Sequence, residues 1–217
     1  MKKIRFENKW EFRHYAKQKL LKSINAYKRD KIISRHILDI VEKLKPTTLL
    51  LYIPLSIEPN IRDVIRFCQK KCQVFVPFME GISFKMVRYR LPLYTKQFNI
   101  KEPKNSFAVK PKIDLAIVPV IGVDGALKRI GFGKGMYDRF SDTLATKPTV
   151  VFVQRELCMT QTLLGEEHDI GADIYLTPYY TIIQRGHDGL RVTSSRCSSR
   201  KRRCRVFHRQ KDGSGQL

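Results

Sequence analysis

Three glycines at alternate positions, Gly131, Gly133 and Gly135, share one short stretch with two fixed cations, Arg129 and Lys134, and one carboxylate, Asp138. Alternating glycines let a backbone reach conformations closed to other residues and bring its amides close to a ligand. Amides gathered in this way bind phosphate oxygens. Arg129 and Lys134 would add positive charge beside the loop, and Asp138 offers the hard oxygen that Mg2+ takes alongside substrate phosphates. A helix starting near Met136 would add its N-terminal dipole. The spacing fits neither a Walker A loop nor the dinucleotide fingerprint. A tight strand-to-helix turn is the other reading of the same glycines.

Two further groups bear on this chemistry. Lys9 and Arg13 lie one helical turn apart, with Lys17 extending the row. Like charges at that spacing repel mildly, and a polyphosphate would relieve the repulsion, although a solvated basic face is the ordinary explanation. Glu58 stands just past a buried apolar run, where open α/β sheets hold their ligands. It also reads as an acid at a helix start.

The elements that must carry these residues follow from patterning. Residues 47–55, 73–79, 114–121, 149–154 and 172–177 are short, branched apolar runs, the pattern of strands buried on both faces in a parallel sheet. Between them, Ile61, Val64, Ile65 and Cys68 recur at helical spacing, and residues 8–43 form one or two amphipathic helices. Alternating strands and helices predict one α/β domain over residues 1–185, a three-layer sandwich around a mostly parallel sheet. Residues 84–112, with Pro92, Pro103 and Pro111, predict a hairpin or an excursion over a sheet edge. All ten prolines lie at or before Pro178, and residues 186–217 offer few apolar side chains. That segment is expected to be a loosely attached or disordered basic tail.

Bulk properties narrow the function classes. No apolar run approaches the ~20 residues of a membrane helix, and the N-terminus does not read as a secretory leader, so a cytoplasmic, non-membrane protein is expected. A monomer is the expectation for assembly. Five cysteines are an odd count that favours reduced thiols, and neither Cys68 with Cys72 nor Cys197 with Cys204 and His208 has structural-zinc spacing. The formal charge is +22, of which residues 186–217 carry +7 and the remainder +15. Such a chain attracts polyanions generally.

The stretch from Val118-Pro119 through Asp124 to Arg129-Ile130-Gly131-Phe132-Gly133-Lys134-Gly135-Met136-Tyr137-Asp138 resembles the signature of the 5-formyltetrahydrofolate cyclo-ligases. Lys9-Trp10-Glu11-Phe12-Arg13 resembles the family's N-terminal basic motif. Tyr52 to Arg62 resembles its strand-to-helix element, Phe98 to Pro103 its Phe-Gly-Ile-x-Glu-Pro, and Glu167-His168-Asp169 its closing His-Asp segment. The likeness spans residues 9–178 and departs at Leu127, commonly glycine, and at Met136, commonly tyrosine.

The resemblance implies ATP- and Mg-dependent closure of 5-formyltetrahydrofolate to 5,10-methenyltetrahydrofolate through a phosphorylated formyl group. Lys9, Arg13, Arg129, Gly131, Gly133, Lys134, Gly135 and Tyr137 would hold ATP, with Arg129, Lys134 and Asp138 as the catalytic set. Ile53, Glu58, Phe132 and Met136 would contact the folate, and Asp138 and Asp169 would share the metal. The rival readings are a nucleic-acid-binding protein contacting phosphates non-specifically through its tail, and a phosphoryl transferase acting on another small molecule.

Overall fold

The computed structural model describes residues 5–96, 100–104, 111–185, 189–194 and 207–208. Helices α1 (Lys9–Leu21) and α2 (Ala26–Leu44) precede strand β1 (Thr48–Leu50), and helix α3 (Arg62–Cys68) leads to strands β2 (Gln73–Glu80) and β3 (Ser83–Arg88). A small ribbon, β4 (Leu93–Thr95) and β5 (Lys101–Pro103), comes before β6 (Leu115–Pro119). The hairpin of β7 (Gly122–Val123) and β8 (Arg129–Ile130) is followed by helix α4 (Met136–Ser141) and strands β9 (Thr149–Val153) and β10 (Ile174–Leu176). Strands β11 (Tyr180–Arg185), β12 (Gly189–Ser194) and β13 (Phe207–His208) complete the described chain.

One nine-stranded sheet runs β13-β12-β11-β10-β9-β6-β1-β2-β3. Its central strands β10, β9, β6, β1 and β2 are parallel, and the outer ones pair antiparallel. Strand period sorts the apolar residues onto two faces. Leu49, Leu51, Leu115, Ile117, Val151 and Val153 face Ile33, Ile37 and Val41 of α2 and Val64, Ile65 and Cys68 of α3. Leu50, Ala116, Val118, Val150 and Phe152 face the opposite core, with Phe140 of α4 and Phe84 and Met86 of β3. Both faces are covered, which is the expected three-layer arrangement.

Helix α1 lies at the strand exits instead of in either layer. Phe12, Ala16 and Leu20, four residues apart, bury themselves against Ile121, Ile130 and Cys158. Its start is capped by the Asn8 side chain, which accepts from the Glu11 amide at 3.0 Å.

The excursion expected over residues 84–112 resolves into β3 and the β4–β5 ribbon. Glu102, only 2% exposed, accepts the Met79 amide at 2.8 Å and ties this ribbon to β2. Phe98 and Asn99 of the same segment lie outside the described residues. Cys72 donates its thiol to the Cys68 carbonyl at 3.1 Å, and burial pushes the Cys68 thiol up to about 12, the behaviour of an inert core cysteine.

Past residue 185, β12 pairs with β11 from Tyr180↔Ser194 to Arg185↔Gly189. Leu190 is buried in the sheet core and Val192 packs against it. This two-residue alternation was too short to stand out among the neighbouring polar residues. Residues 195–206 and 209–217, including Cys197 and Cys204, lie outside the described residues. Among those described, no helix is long and apolar enough to cross a membrane.

Candidate active site

Strand order reverses between β1 and β6: the chain leaves β1 toward β2 on one side and β6 toward β9 on the other. Ligands of open α/β sheets bind at such a switch, outside the carboxyl ends of the strands. Two loops emerge there. The one after β1 carries Glu58, and the one after β6 carries the β7–β8 hairpin and the glycines.

Asp124, 1% exposed, organises the second loop. One carboxylate oxygen accepts the amides of Ala126 and Lys128 at 2.8 and 2.9 Å. The other accepts those of Leu164 and Gly165 at 3.1 and 2.8 Å. A single side chain thus joins the hairpin turn to the segment bearing Glu166 and Asp169. Leu127 closes the turn in the left-handed region at φ 55°, with its side chain fully buried. A glycine there would relieve about 1–2 kcal/mol of backbone strain but forfeit roughly 2–5 kcal/mol of leucine packing. Leu127→Gly is therefore expected to lower stability, read as a drop in thermal midpoint. An unchanged or raised midpoint would contradict this balance.

Below the hairpin opens a cleft of about 570 Å³, lined by Lys9, Arg13, Arg129, the three glycines, Lys134, Asp138 and Asp169. Gly133 has φ 103° and Gly135 φ 57°, so the loop depends on glycine at both positions. A Cβ at Gly131 would collide with the Arg129 guanidinium. Arg13 reaches from α1 to donate to the Gly131 carbonyl at 2.9 Å. Helix α4 does begin at Met136 but has only six residues, too short for a helix field to contribute much at the loop.

Arg129 is the most constrained of these cations, at 7% exposure. Its Nη1 lies 3.6 Å from Asp138 Oδ2, its Nη2 donates to the Pro119 carbonyl at 3.4 Å, and its guanidinium covers the Tyr137 ring at 4.8 Å. Its Nε has no hydrogen-bond partner among the described residues. Burial lowers its pKa, opposed first by Asp138. A buried guanidinium with an unpartnered N–H is costly unless an acceptor arrives.

The two expected metal carboxylates come together. Asp138 Oδ1 accepts the Ile170 amide at 3.2 Å, one residue beyond Asp169, and both acids line the cleft. Asp169, 8% exposed, accepts the Glu166 amide at 2.7 Å. Lys9 pairs with Asp169 at 2.6 Å and with Glu166 at 2.7 Å. It therefore sits on acids, where phosphate contact was expected.

Glu58 lies outside the cleft lining, at 7% exposure. Among the described residues its carboxylate accepts the Leu55 amide alone, at 3.0 Å. Burial raises its pKa to about 7, against the pull of that amide and of Arg129 and Arg155. Arg155 steadies the loop by bridging Asp30 of α2 at 2.7 Å and the Ser56 carbonyl at 2.9 Å. Ile53, at the same strand exit, packs with Val76 and Val87. Tyr137 meets Phe84 edge-on at 5.0 Å, and Met136 packs partly buried beside it. Phe132 remains 39% exposed, with the Lys17 ammonium 5.8 Å from its ring.

Sequence reasoning missed four residues of the cleft: Arg139, Asp142, Glu166 and His168, the last read from sequence as part of a loop turn. Arg139 and Asp142 follow Asp138 on or just beyond α4, and their spacing alone gave no signal. Glu166 precedes the Glu167-His168-Asp169 run, and its carboxylate, the His168 ring and Asp169 present ligand atoms within 4.8 Å of one another.

Comparison with known proteins gives relatives of one kind. A relative named 5-formyltetrahydrofolate cyclo-ligase from Mycolicibacterium smegmatis is 26% identical over 152 residues, covering 65% of this chain and 78% of the relative. One of the same name from Haemophilus influenzae is 25% identical over 158 residues, covering 68% and 84%. The Aquifex aeolicus 5,10-methenyltetrahydrofolate synthetase structure superposes with a TM-score of 0.69 at 24% identity, covering 88% of this chain and 99% of that one. The synthetase of that name from Mycoplasma pneumoniae gives 0.61 at 19%, covering 78% and 98%. The model of the 5-formyltetrahydrofolate cyclo-ligase family matches residues 3–178, most of the chain and all of the cleft, and the chain belongs to that family.

Proposed function

We propose that this chain converts 5-formyltetrahydrofolate to 5,10-methenyltetrahydrofolate at the expense of ATP, releasing ADP and phosphate, with Mg2+ bound beside the nucleotide. The observation that carries the reading is the buried, incompletely partnered Arg129 in a cleft that glycines 131, 133 and 135 and the acids Asp138 and Asp169 also line.

A formyl group on nitrogen is amide-like, and its oxygen leaves poorly. In the proposed reaction the formyl oxygen attacks the γ-phosphorus and displaces ADP. N10 then attacks the activated formyl carbon, and phosphate departs with the former formyl oxygen while N10 gives up its proton. Such a transfer asks the protein mainly to position groups and neutralise charge. The amides at Gly131, Gly133 and Gly135, together with Arg13, Arg129 and Lys134, hold the phosphates. Lys9 joins them on leaving its acids. Tyr137, braced by Arg129 and Phe84, forms the wall between phosphate and pterin sides. Glu58 accepts pterin N–H groups, with Ile53, Met136 and Phe132 bounding the ring.

The donor set fits a magnesium ion: Asp138 and Asp169 are buried hard-oxygen ligands in one cleft, the one or two carboxylates Mg2+ commonly takes with substrate phosphates. When bound, the ion would neutralise phosphate charge as it develops.

Appearance of the near-ultraviolet methenyl chromophore from 5-formyltetrahydrofolate tests the reading, with and without Mg-ATP. Formation should require both ATP and metal, and Lys134→Met should slow it by roughly 10²-fold or more. Absence of the chromophore under all conditions, or ATP hydrolysis indifferent to folate, would defeat the proposal. The second outcome would point to phosphoryl transfer onto another small molecule.

A further inference from the structure

The Lys9 ammonium stands between two carboxylates, 2.6 Å from Asp169 and 2.7 Å from Glu166. Asp169 is 8% exposed on its side chain and Lys9 17%, so this is no casual surface pair. The third member, Glu166, is 63% exposed, but its backbone amide donates to Asp169 and fixes it at the cleft edge. His168 Nε2 lies 3.7 Å from Glu166 and completes the group.

Taking the metal assignment above as its basis, we propose that Lys9 is the exchangeable counter-ion of the Asp169–Glu166 pair, that it keeps divalent metal out, and that nucleotide phosphate draws it off. Glu166 thereby becomes a further metal-binding residue beside Asp138 and Asp169. The physical case is mutual exclusion. A metal and the Lys9 ammonium compete for the same two oxygens, Asp169 Oδ2 and Glu166 Oε1, and either of them compensates those acids. With neither present, a nearly buried carboxylate would be uncompensated, which is strongly unfavourable.

Lys9 is also suited to move. It is a compact charge on a flexible four-carbon stem, rooted in the first turn of α1. One turn further along that helix, Arg13 already touches the glycine loop at the Gly131 carbonyl. The acids and the phosphate loop therefore lie within the compass of one helix end. A triphosphate on the loop offers Lys9 a competing anion, and Mg2+, arriving with the phosphates, replaces it on the acids. Nucleotide and metal would then bind with positive coupling, each clearing the way for the other.

Binding of Mn2+ to the full chain, followed through the paramagnetic signal of the free ion, reads this directly without turnover. In the wild type, a non-hydrolysable ATP analogue should tighten Mn2+ binding by roughly ten- to hundredfold. Lys9→Met should bind Mn2+ tightly without the analogue and lose most of that enhancement. Lys9→Arg, which keeps the charge on the acids, should leave Mn2+ binding without the analogue as weak as in the wild type. Glu166→Gln introduced into Lys9→Met should weaken the acquired binding.

If Lys9→Met without analogue binds Mn2+ no better than the wild type while the analogue still tightens both, the exchange is wrong and the metal assignment stands. Equal gains in Lys9→Met and Lys9→Arg would also overturn it, because charge would not be the cause. If neither protein binds Mn2+ even with the analogue, the metal assignment falls and the exchange falls with it. Thermal melts of each variant establish that the fold is retained.

Discussion

Asp138→Asn is expected to lower the rate of methenyl formation by roughly 10²–10³-fold while leaving the fold in place. The substitution preserves shape: an asparagine carbonyl oxygen can still accept the Ile170 amide that Asp138 Oδ1 accepts at 3.2 Å. What is lost is charge. In the proposed mechanism that charge ligates the metal, and it also balances Arg129, whose Nη1 lies 3.6 Å away. Removing one member of a buried pair can cost 3–5 kcal/mol. Here the separation exceeds a hydrogen bond, and Glu58 and Asp169 also support the guanidinium. The stability loss should therefore be about 1 kcal/mol, far less than the kinetic effect. Parallel measurement of turnover and thermal midpoint separates the two. A variant with wild-type turnover would remove Asp138 from the catalytic set, and one that fails to fold would make its role structural.

The fold was largely legible because the strands are buried on both faces. Runs such as Leu115–Pro119 and Thr149–Val153 are apolar without alternation, which only a sheet covered by helices on both sides accommodates. Strand lengths were less legible. The apolar run 47–55 yields a strand of only Thr48–Leu50, because the chain must leave the sheet early to form the loop that bears Glu58. Strand β12 was missed for the opposite reason: near the antiparallel end of the sheet apolar residues are needed on one face only, and Leu190 with Val192 is a faint pattern among arginines and serines.

The cleft was legible where local sequence builds it and obscure where distant segments meet. Gly131, Gly133 and Gly135 announce a loop conformation by residue type alone, and two of them take positive φ. Arg129 needed the structure, since nothing in its neighbours says that it turns inward over Tyr137. The approach of Asp169 to Asp138 came from resemblance, and its physical means, the double clamp of Asp124 on two loops, could not be read from spacing. Glu166 belongs to the same class of hidden residue. Its relevance comes from a lysine 157 positions away, a separation at which sequence pattern carries no information about contact.

Glu58→Gln should make the protein more stable above neutral pH and worse at binding folate. Burial raises the carboxyl from 4.5 to about 7, so the folded chain keeps this proton over a pH range in which the unfolded chain has released it. Stability then falls as pH rises from about 4.5 through 7, and the full penalty persists above that window. At about 1.4 kcal/mol per pKa unit, the penalty is roughly 3–3.5 kcal/mol at pH 8. Glutamine is never charged, and its carbonyl oxygen can still accept the Leu55 amide. The variant should melt some 5–10 °C above the wild type at pH 8, and the two should converge near pH 4. Parallel melting curves across that range would mean that Glu58 is not held neutral by burial. A natural chain keeps such a destabilising acid where its charge has a use, and a carboxylate with a single internal donor has lone pairs left for the N–H groups of a bound pterin. Glu58→Gln should accordingly raise the KM for 5-formyltetrahydrofolate more than that for ATP. A larger effect on ATP would place the folate elsewhere.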